Sequence, residues 1–149
     1  MGDKPEIVRE ARLENLASLI EFVEKACRQT NAEQQICLDI RLAVEEVCTN
    51  LIRHGYAGME PGPIRLNFQI DGEKVIISIG DHAPPFHPQQ APRLKLDSEW
   101  QKRPVGGFGW HLILQVMDQI TYESDPIEGN VLTLIKRISS EKDVSQQEQ

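Results

Sequence analysis

The chain has 149 residues, of which 40% are hydrophobic and 26% are charged, a composition typical of one soluble globular domain. Its formal net charge of −7 disfavours a nucleic-acid partner, because phosphate backbones attract basic surfaces. No apolar run approaches the roughly 18 residues that a membrane span requires, and residues 1–10 are charged instead of forming a hydrophobic signal region. The sequence therefore predicts a cytoplasmic domain that contacts neither a membrane nor a nucleic acid.

Two helices are predicted in the first part of the chain. A short strand over residues 6–11 precedes a helix over residues 13–28, in which apolar residues recur every three or four positions. Thr30-Asn31 offers an N-cap for a second helix, which runs from about residue 32 to 54 and has Gly55 at its C-cap position. The apolar stripe of this second helix comprises Ile36, Ile40, Ala43, Val47 and Leu51.

The rest of the chain predicts two β-hairpins separated by a long loop and a third helix. Residues 64–70 alternate between apolar and polar side chains, and a turn at Asp71-Gly72 joins them to a more apolar strand over 75–80. Residues 82–106 include five prolines and are too long for an ordinary connection, so they are either disordered or functional. The remaining predicted elements are a helix from residue 106 to about 117 and strands over 120–123 and 131–138.

This order of elements predicts the fold class. Strands that come in hairpins, with helices free to gather on one face, favour an α+β protein built as a two-layer α/β sandwich around a mixed, mostly antiparallel sheet. The domain is expected to occupy residues 1–138, and a polar tail occupies residues 139–149.

The three cysteines are expected to be reduced and buried. Cys37 and Cys48 lie in one predicted helix, where a separation of eleven residues corresponds to roughly 16 Å, too far for a disulfide. A free cysteine usually behaves as a small buried apolar residue. The four histidines show no metal-ligand spacing with the cysteines or with each other.

Two polar residues of the second predicted helix are candidates for chemistry. Glu46 and Asn50 are four residues apart, so both side chains lie on one face of the helix. A carboxylate accepts a proton from a hydroxyl group, and an amide oxygen can ligate Mg²⁺. Taken alone, such a pair is more often an ordinary polar pair on a solvated helix face.

Two further segments are candidates for binding. Asp81 follows an apolar strand, where a carboxylate can accept a hydrogen bond from an exocyclic amine of a purine packed on that strand. Gly107 and Gly109 open the third predicted helix, and glycine allows backbone amides to approach phosphate oxygens at a helix N-terminus. Each segment alone is also consistent with an ordinary turn.

The order and spacing of these segments resemble a known family. Leu42 to Tyr56, with Glu46, Asn50 and a following His-Gly-Tyr, is similar to the N-box of the GHKL superfamily, and closest to that of the anti-sigma-factor serine kinases. Asp81 to Phe86 resembles the first glycine box, and Gly107-x-Gly109 with its helix resembles the second. The resemblance covers residues 7–137 and implies a Bergerat-type, histidine-kinase-like ATP-binding fold.

The resemblance implies roles for the matching residues. Asn50 would hold the Mg²⁺ that bridges the ATP phosphates, and Glu46 would be the general base for a protein serine. Asp81 would bind the adenine amino group, Gly107 and Gly109 would border the phosphates, and residues 82–106 would form a lid over ATP. The implied cofactors are ATP and Mg²⁺. The implied partners are an antagonist protein that is phosphorylated on serine and a sigma factor, and such kinases are often homodimers.

The sequence departs from the family pattern at three places. Ala83 stands where the first glycine box usually has glycine, and Gly129-Asn130 stands where Gly-Thr is frequent, so Asn130 is expected to replace the threonine hydroxyl at the nucleotide. Pro104-Val105 precedes the second glycine box in place of a cation, which leaves Lys102 or Arg103 to approach the phosphates. These departures keep two functions open, a serine kinase and a non-catalytic ATP-binding regulator that binds a protein partner.

Overall fold

The computed structural model describes residues 5–85 and 107–138, and for residues 107–111 it describes the backbone alone. Five strands are present: β1 Glu6–Glu10, β2 Pro63–Asp71, β3 Lys74–Asp81, β4 Gln119–Asp125 and β5 Gly129–Arg137. The helices are α1 Leu16–Arg28, α2 Gln34–Asn50 and α3 Gly107–Val116. The predicted tail over 139–149 and residues 86–106 of the predicted lid lie outside the described residues.

The strands form one sheet in the order β1-β2-β3-β5-β4. The expected α+β class is confirmed, but the expectation of a mixed sheet is wrong for the described residues, because all four strand pairings are antiparallel. Tight turns between β2 and β3 and between β4 and β5 impose antiparallel pairing within each hairpin. The turn at Gly72 has a φ of +64°, which glycine adopts without a steric penalty.

One face of the sheet is buried beneath the helices. Because side chains alternate along a strand, the antiparallel register places the same face of neighbouring strands together. Two rungs of buried apolar side chains cross the three central strands: Leu66–Ile79–Leu132 and Phe68–Ile77–Leu134. The next rung is Ile64–Asp81–Asn130, so the apolar face ends at two buried polar residues.

The helices meet the sheet through apolar stripes. α1 packs against α2, and α2 packs against α3. The fully buried side chains of the helices include Leu19 and Val23 of α1, Ile40, Ala43 and Val44 of α2, and Ile113 of α3. None of the helices in the described part of the chain is long and apolar enough to cross a membrane.

The ends of α2 differ from those predicted. The residue at the N-cap position of α2 is Glu33, not Thr30 or Asn31 as predicted. The Thr30 hydroxyl accepts a hydrogen bond from Ala32 N within the α1–α2 connection. At the other end α2 continues into a π-helical turn, Leu51–Gly55. Gly55 is therefore the last residue of this turn and lacks the left-handed backbone expected of a C-cap glycine, which Gly58 adopts instead with a φ of +78°.

The expectation that all three cysteines are reduced is wrong for two of them. Cys27 in the last turn of α1 is bonded to Cys37 in the first turn of α2, with their Cα atoms 5.8 Å apart. The two helices form an antiparallel hairpin that brings these turns together, a proximity that spacing within a single helix does not reveal. Cys48 is free and buried as predicted, and burial raises the pKa of its thiol to about 12.

Candidate functional site

The candidate catalytic pair lies at the C-terminal end of α2. Glu46 and Asn50 are both half-buried, and they are one helical turn apart, as predicted. The π-helical turn begins at the residue that follows Asn50. Such turns are rare and are frequently found at functional sites.

Asp81 is the last residue of β3, and its side chain is buried on the helix-covered face of the sheet. Its Oδ1 accepts hydrogen bonds from Ala83 N at 2.8 Å and from Asn130 Nδ2 at 2.8 Å. Within residues 5–85 and 107–138, no donor bonds the second carboxylate oxygen, Oδ2. A carboxylate oxygen without a bonded donor has acceptor capacity to offer to a ligand.

Burial sets the protonation behaviour of Asp81. Loss of hydration raises the pKa of its carboxyl group above 3.8, while the hydrogen bonds from Asn130 and Ala83 and the charge of His82 act in the opposite direction. The two donors therefore offset part of the cost of burying the charge. Because both donors bond Oδ1, Oδ2 is the oxygen that can accept a hydrogen bond from a ligand.

Asn130 is the opposite residue on β5, in register with Asp81. Its amide nitrogen donates to Asp81 Oδ1 and, at 2.7 Å, to Ala83 O, while its amide oxygen accepts from Ser124 Oγ at 2.7 Å. The amide nitrogen of Asn130 thus donates to two acceptors within the protein. Its direct contact with the Asp81 carboxylate was not predicted from the sequence, which indicated a contact with the nucleotide. The preceding Gly129 has a φ of +94°, and a Cβ there would lie 2.5 Å from Asp81 O.

Ala83 fits the place where related sequences usually have glycine. Its side chain is buried, and its N–H and C=O both take part in the hydrogen bonds around Asp81. Its methyl group lies against Gly55, at which an added Cβ would be 3.6 Å from that of Ala83, an ordinary contact distance. The first glycine box therefore touches the end of the π-helical turn that follows Asn50.

The described part of the third helix starts with Gly107, so Gly107 and Gly109 both lie in helical backbone. The first four N–H groups of a helix lack intrahelical acceptors and favour negative charge. The other end of α3 is held by Lys136, whose Nζ donates to Val116 O and lies 3.6 Å from Asp39 Oδ2 of α2. Lys136 therefore ties α3 to the helix that bears Glu46 and Asn50.

The structure thus brings some of the predicted residues into direct contact and leaves others unplaced. Asp81 and Asn130 are hydrogen-bonded, and the glycines of α3 belong to a helix that packs on α2. Lys102 and Arg103 lie outside the described residues, together with residues 86–106 of the proposed lid. Ser124 is a further residue of the site, and its only sequence signal would have been the register of β4 with β5, which pairs it with Asn130.

Comparison with known proteins defines the class of this chain. The histidine kinase-like ATPase domain profile matches residues 9–136. The chain therefore belongs to the histidine kinase-like ATPase domain family, which confirms the resemblance seen in the sequence. The family match spans both glycine boxes and the N-box.

Proteins similar to this chain include some named anti-sigma F factor and serine-protein kinase RsbW. The chain is 27% identical over 111 residues to the anti-sigma F factor of Pasteuria penetrans, covering 72% of each chain. It is 30% identical over 104 residues to the anti-sigma F factor of Thermoanaerobacter sp. strain X514, covering 70% of this chain and 72% of the relative. It is 28% identical over 108 residues to the serine-protein kinase RsbW of Listeria innocua, covering 70% and 68%.

Solved structures support the fold. The RsbU and RsbW domains of Rv1364c from Mycobacterium tuberculosis align with a TM-score of 0.63 at 17% identity, covering 91% of this chain and 33% of that chain. The catalytic domain of the histidine kinase ThkA aligns with a TM-score of 0.52 at 19% identity, covering 94% and 99%. At these identities the likeness shows the fold alone.

Proposed function

We propose that this chain is an ATP-binding serine/threonine-protein kinase of the anti-sigma-factor type, which phosphorylates a serine on an antagonist protein in the cytoplasm. The observation that carries the proposal is the Asp81 carboxylate at the edge of the buried sheet face. One of its oxygens is bonded twice, and the other has no bonded donor among the residues that the structure describes. Family membership and the names of the relatives support the same assignment.

Asp81 is suited to recognise adenine. Its Oδ2 would accept a hydrogen bond from the exocyclic amine, and the two bonds at Oδ1 keep the carboxylate from rotating. Asn130 would contribute to the nucleotide site by holding that carboxylate, in the place where threonine is frequent in related sequences. Guanine presents an acceptor at the equivalent ring position, so Asp81 would disfavour it.

The helix termini are suited to the phosphates. The backbone amides at Gly107 and Gly109 open α3, where negative charge is favoured and no Cβ restricts a close approach. Asn50 would supply an amide oxygen to Mg²⁺, which prefers oxygen ligands and, when bound, neutralises phosphate charge. These groups come from two helices that pack on each other.

Glu46 would act as the general base. Its carboxylate would take the proton of the serine hydroxyl as the serine oxygen bonds to the γ-phosphorus and the bond from that phosphorus to the β-phosphate oxygen breaks, leaving ADP. Phosphoryl transfer requires mainly positioning and charge stabilisation, which a small domain can supply.

The proposed partners are an antagonist protein, which is the phosphate acceptor, and a sigma factor, with the chain acting as a homodimer. The names of the relatives support the sigma factor and the serine kinase, whereas the antagonist and the homodimer follow from the resemblance of the N-box to that of the anti-sigma-factor kinases. The distinct alternative is a regulator that binds ATP and a protein partner without transferring phosphate.

Incubation with ATP labelled at the γ-phosphate separates the two functions. Antagonist-domain proteins encoded beside the gene for this chain are the first acceptors to test. Label on an acceptor serine, absent when that serine is changed to alanine, supports the kinase. Tight ATP binding with no label on any acceptor supports the regulator.

A further inference from the structure

Tyr56 is a buried residue that joins the end of the N-box to the first glycine box. Its side chain is 5% exposed, and it follows the π-helical turn, to which its N–H is bonded through Leu51 O at 3.2 Å. The N-box match includes this tyrosine without giving it a role. Tyr56 is distant from Asp81 in the sequence, but its hydroxyl is hydrogen-bonded to His82 N, the backbone group directly after Asp81.

The Tyr56 hydroxyl makes two hydrogen bonds at the edge of the sheet. It donates to Pro63 O at 2.8 Å, where β2 begins, and accepts from His82 N at 2.7 Å, directly after β3. Ile64 and Asp81 are opposite each other in the β2–β3 register, so the phenol bridges the two strands beside the carboxylate. Burial and the charge of Asp81 raise the pKa of the phenol, while the bond from His82 N opposes this.

Gly62 leaves the space that the Tyr56 ring occupies. A Cβ at Gly62 would lie 2.6 Å from the Tyr56 ring, so a larger residue would displace the phenol. The hydroxyl also fixes the peptide between Asp81 and His82, because that peptide's N–H is its donor. Tyr56, which follows the π-helical turn at the end of α2, therefore holds the backbone of Asp81 in place.

The carboxylate of Asp81 is held from the other side by β4 and β5. Ser124 Oγ donates to Asn130 Oδ1, and Asn130 Nδ2 in turn donates to Asp81 Oδ1. The Ser124 bond therefore orients the Asn130 amide so that its nitrogen faces the carboxylate. Two sets of hydrogen bonds, one to the backbone beside Asp81 and one to its Oδ1, thus determine the position of Oδ2.

We propose that Tyr56 and the Ser124–Asn130 pair are positioning residues that hold Asp81 in its adenine-binding orientation. We call these three residues the clamp. The proposal rests on the assignment of Asp81 to adenine above. A site whose acceptor is already oriented loses less freedom when the ligand binds, so the clamp contributes to affinity without touching the nucleotide. Its loss should weaken recognition of the base and leave recognition of the phosphates unchanged.

The test is calorimetric titration of Mg-ATP and of Mg-tripolyphosphate, which lacks the base. Tyr56→Phe keeps the ring and removes the hydroxyl, and it should weaken ATP binding by about threefold or more while leaving tripolyphosphate binding unchanged. The double variant with Asp81→Asn should bind ATP about as well as Asp81→Asn alone, because both changes act on one interaction. Val75→Ala, at the far end of β3, is the control: it removes fully buried methyl groups and should lower stability without changing ATP affinity.

The outcomes separate the clamp from the adenine assignment. If Asp81→Asn weakens ATP and Tyr56→Phe does not, the clamp is wrong and the adenine assignment stands. If Asp81→Asn leaves ATP affinity unchanged, the adenine assignment fails and the clamp fails with it. Should Tyr56→Phe not fold, Ser124→Ala at the exposed edge strand replaces it: a loss of ATP affinity without a loss of tripolyphosphate affinity supports the clamp, and unchanged ATP affinity overturns it.

Discussion

Replacing Asp81 with asparagine tests adenine recognition at a single oxygen. Oδ1 accepts from Ala83 N and Asn130 Nδ2, so the asparagine oxygen is expected to take its place and keep both bonds. The amide nitrogen then occupies the position of Oδ2 and directs a donor towards the donor amine of adenine. The change therefore removes one hydrogen bond and replaces it with an opposed pair of donors, with little change in shape.

The magnitude follows from the bond that is lost. A neutral hydrogen bond contributes roughly 0.5–1.5 kcal/mol, and one to a charged group roughly 1.5–3 kcal/mol. The affinity for Mg-ATP should therefore fall by at least about two- to tenfold, since about 1.4 kcal/mol corresponds to a factor of ten. Guanine carries an acceptor oxygen at the equivalent position, so the preference for ATP over GTP should also decrease.

Calorimetry with both nucleotides measures these changes. Asp71→Asn is the matched control, because it makes the same charge change at an exposed residue at the other end of the β2–β3 hairpin. That variant should bind ATP like the wild type. Unchanged ATP affinity in Asp81→Asn would show that the purine binds elsewhere.

Three further predictions follow from the structure. Asn50→Ala should lower both Mg-ATP affinity and phosphotransfer, because a metal ligand is lost, and titration of nucleotide at several Mg²⁺ concentrations measures the effect. Reduction of the Cys27–Cys37 bond, which spans a sequence separation of 10, should lower the free energy of unfolding by roughly 2.7 kcal/mol on the chain-entropy account. Urea unfolding with and without reductant measures this loss, and a Cys27→Ser/Cys37→Ser variant that still responds to reductant would contradict it. Because burial raises the pKa of Asp81 above 3.8, its folded state binds a proton more readily than the unfolded chain does. The wild type should therefore gain stability relative to Asp81→Asn as the pH falls through the raised pKa, and the gain should level off below 3.8; a pH-independent difference in unfolding free energy would contradict the assignment.

Local patterns in the sequence predicted most elements of the fold. The alternation over residues 64–70 and the apolar run over 75–80 gave β2 and β3, because side chains in a strand with one buried face alternate. The spacing of Glu46 and Asn50 was sufficient to place them one turn apart, since helix geometry is local. These elements need no knowledge of the rest of the chain.

What the sequence left open depends on contacts between distant segments. The Cys27–Cys37 bond requires the packing of α1 on α2, which spacing within one helix cannot reveal. The hydrogen bonds of Asn130 to Asp81 require the β3–β5 register, and the role of Tyr56 requires the π-helical turn that directs it towards His82. No local pattern contains that information, because strand pairing joins residues 49 positions apart.

The chemical role of Glu46 is the central claim about activity. Glu46→Gln keeps the size of the side chain and removes the base, and it leaves Asn50 and Asp81 unchanged. Nucleotide affinity should therefore survive, while transfer to an acceptor serine should fall by about 10²–10⁴, towards the low end if the transition state is loose. Asn50→Ala, which is expected to lose both properties, distinguishes loss of base from loss of binding.

Single-turnover transfer of the γ-phosphate from saturating Mg-ATP to an antagonist serine, measured for the wild type and Glu46→Gln, tests this claim most directly. We expect rapid labelling by the wild type and a loss of at least about a hundredfold in Glu46→Gln, with equal ATP affinity in both. Equal transfer rates would make Glu46 a structural helix residue. A wild type that binds ATP tightly and labels no antagonist would contradict the kinase and leave a nucleotide-binding regulator in its place.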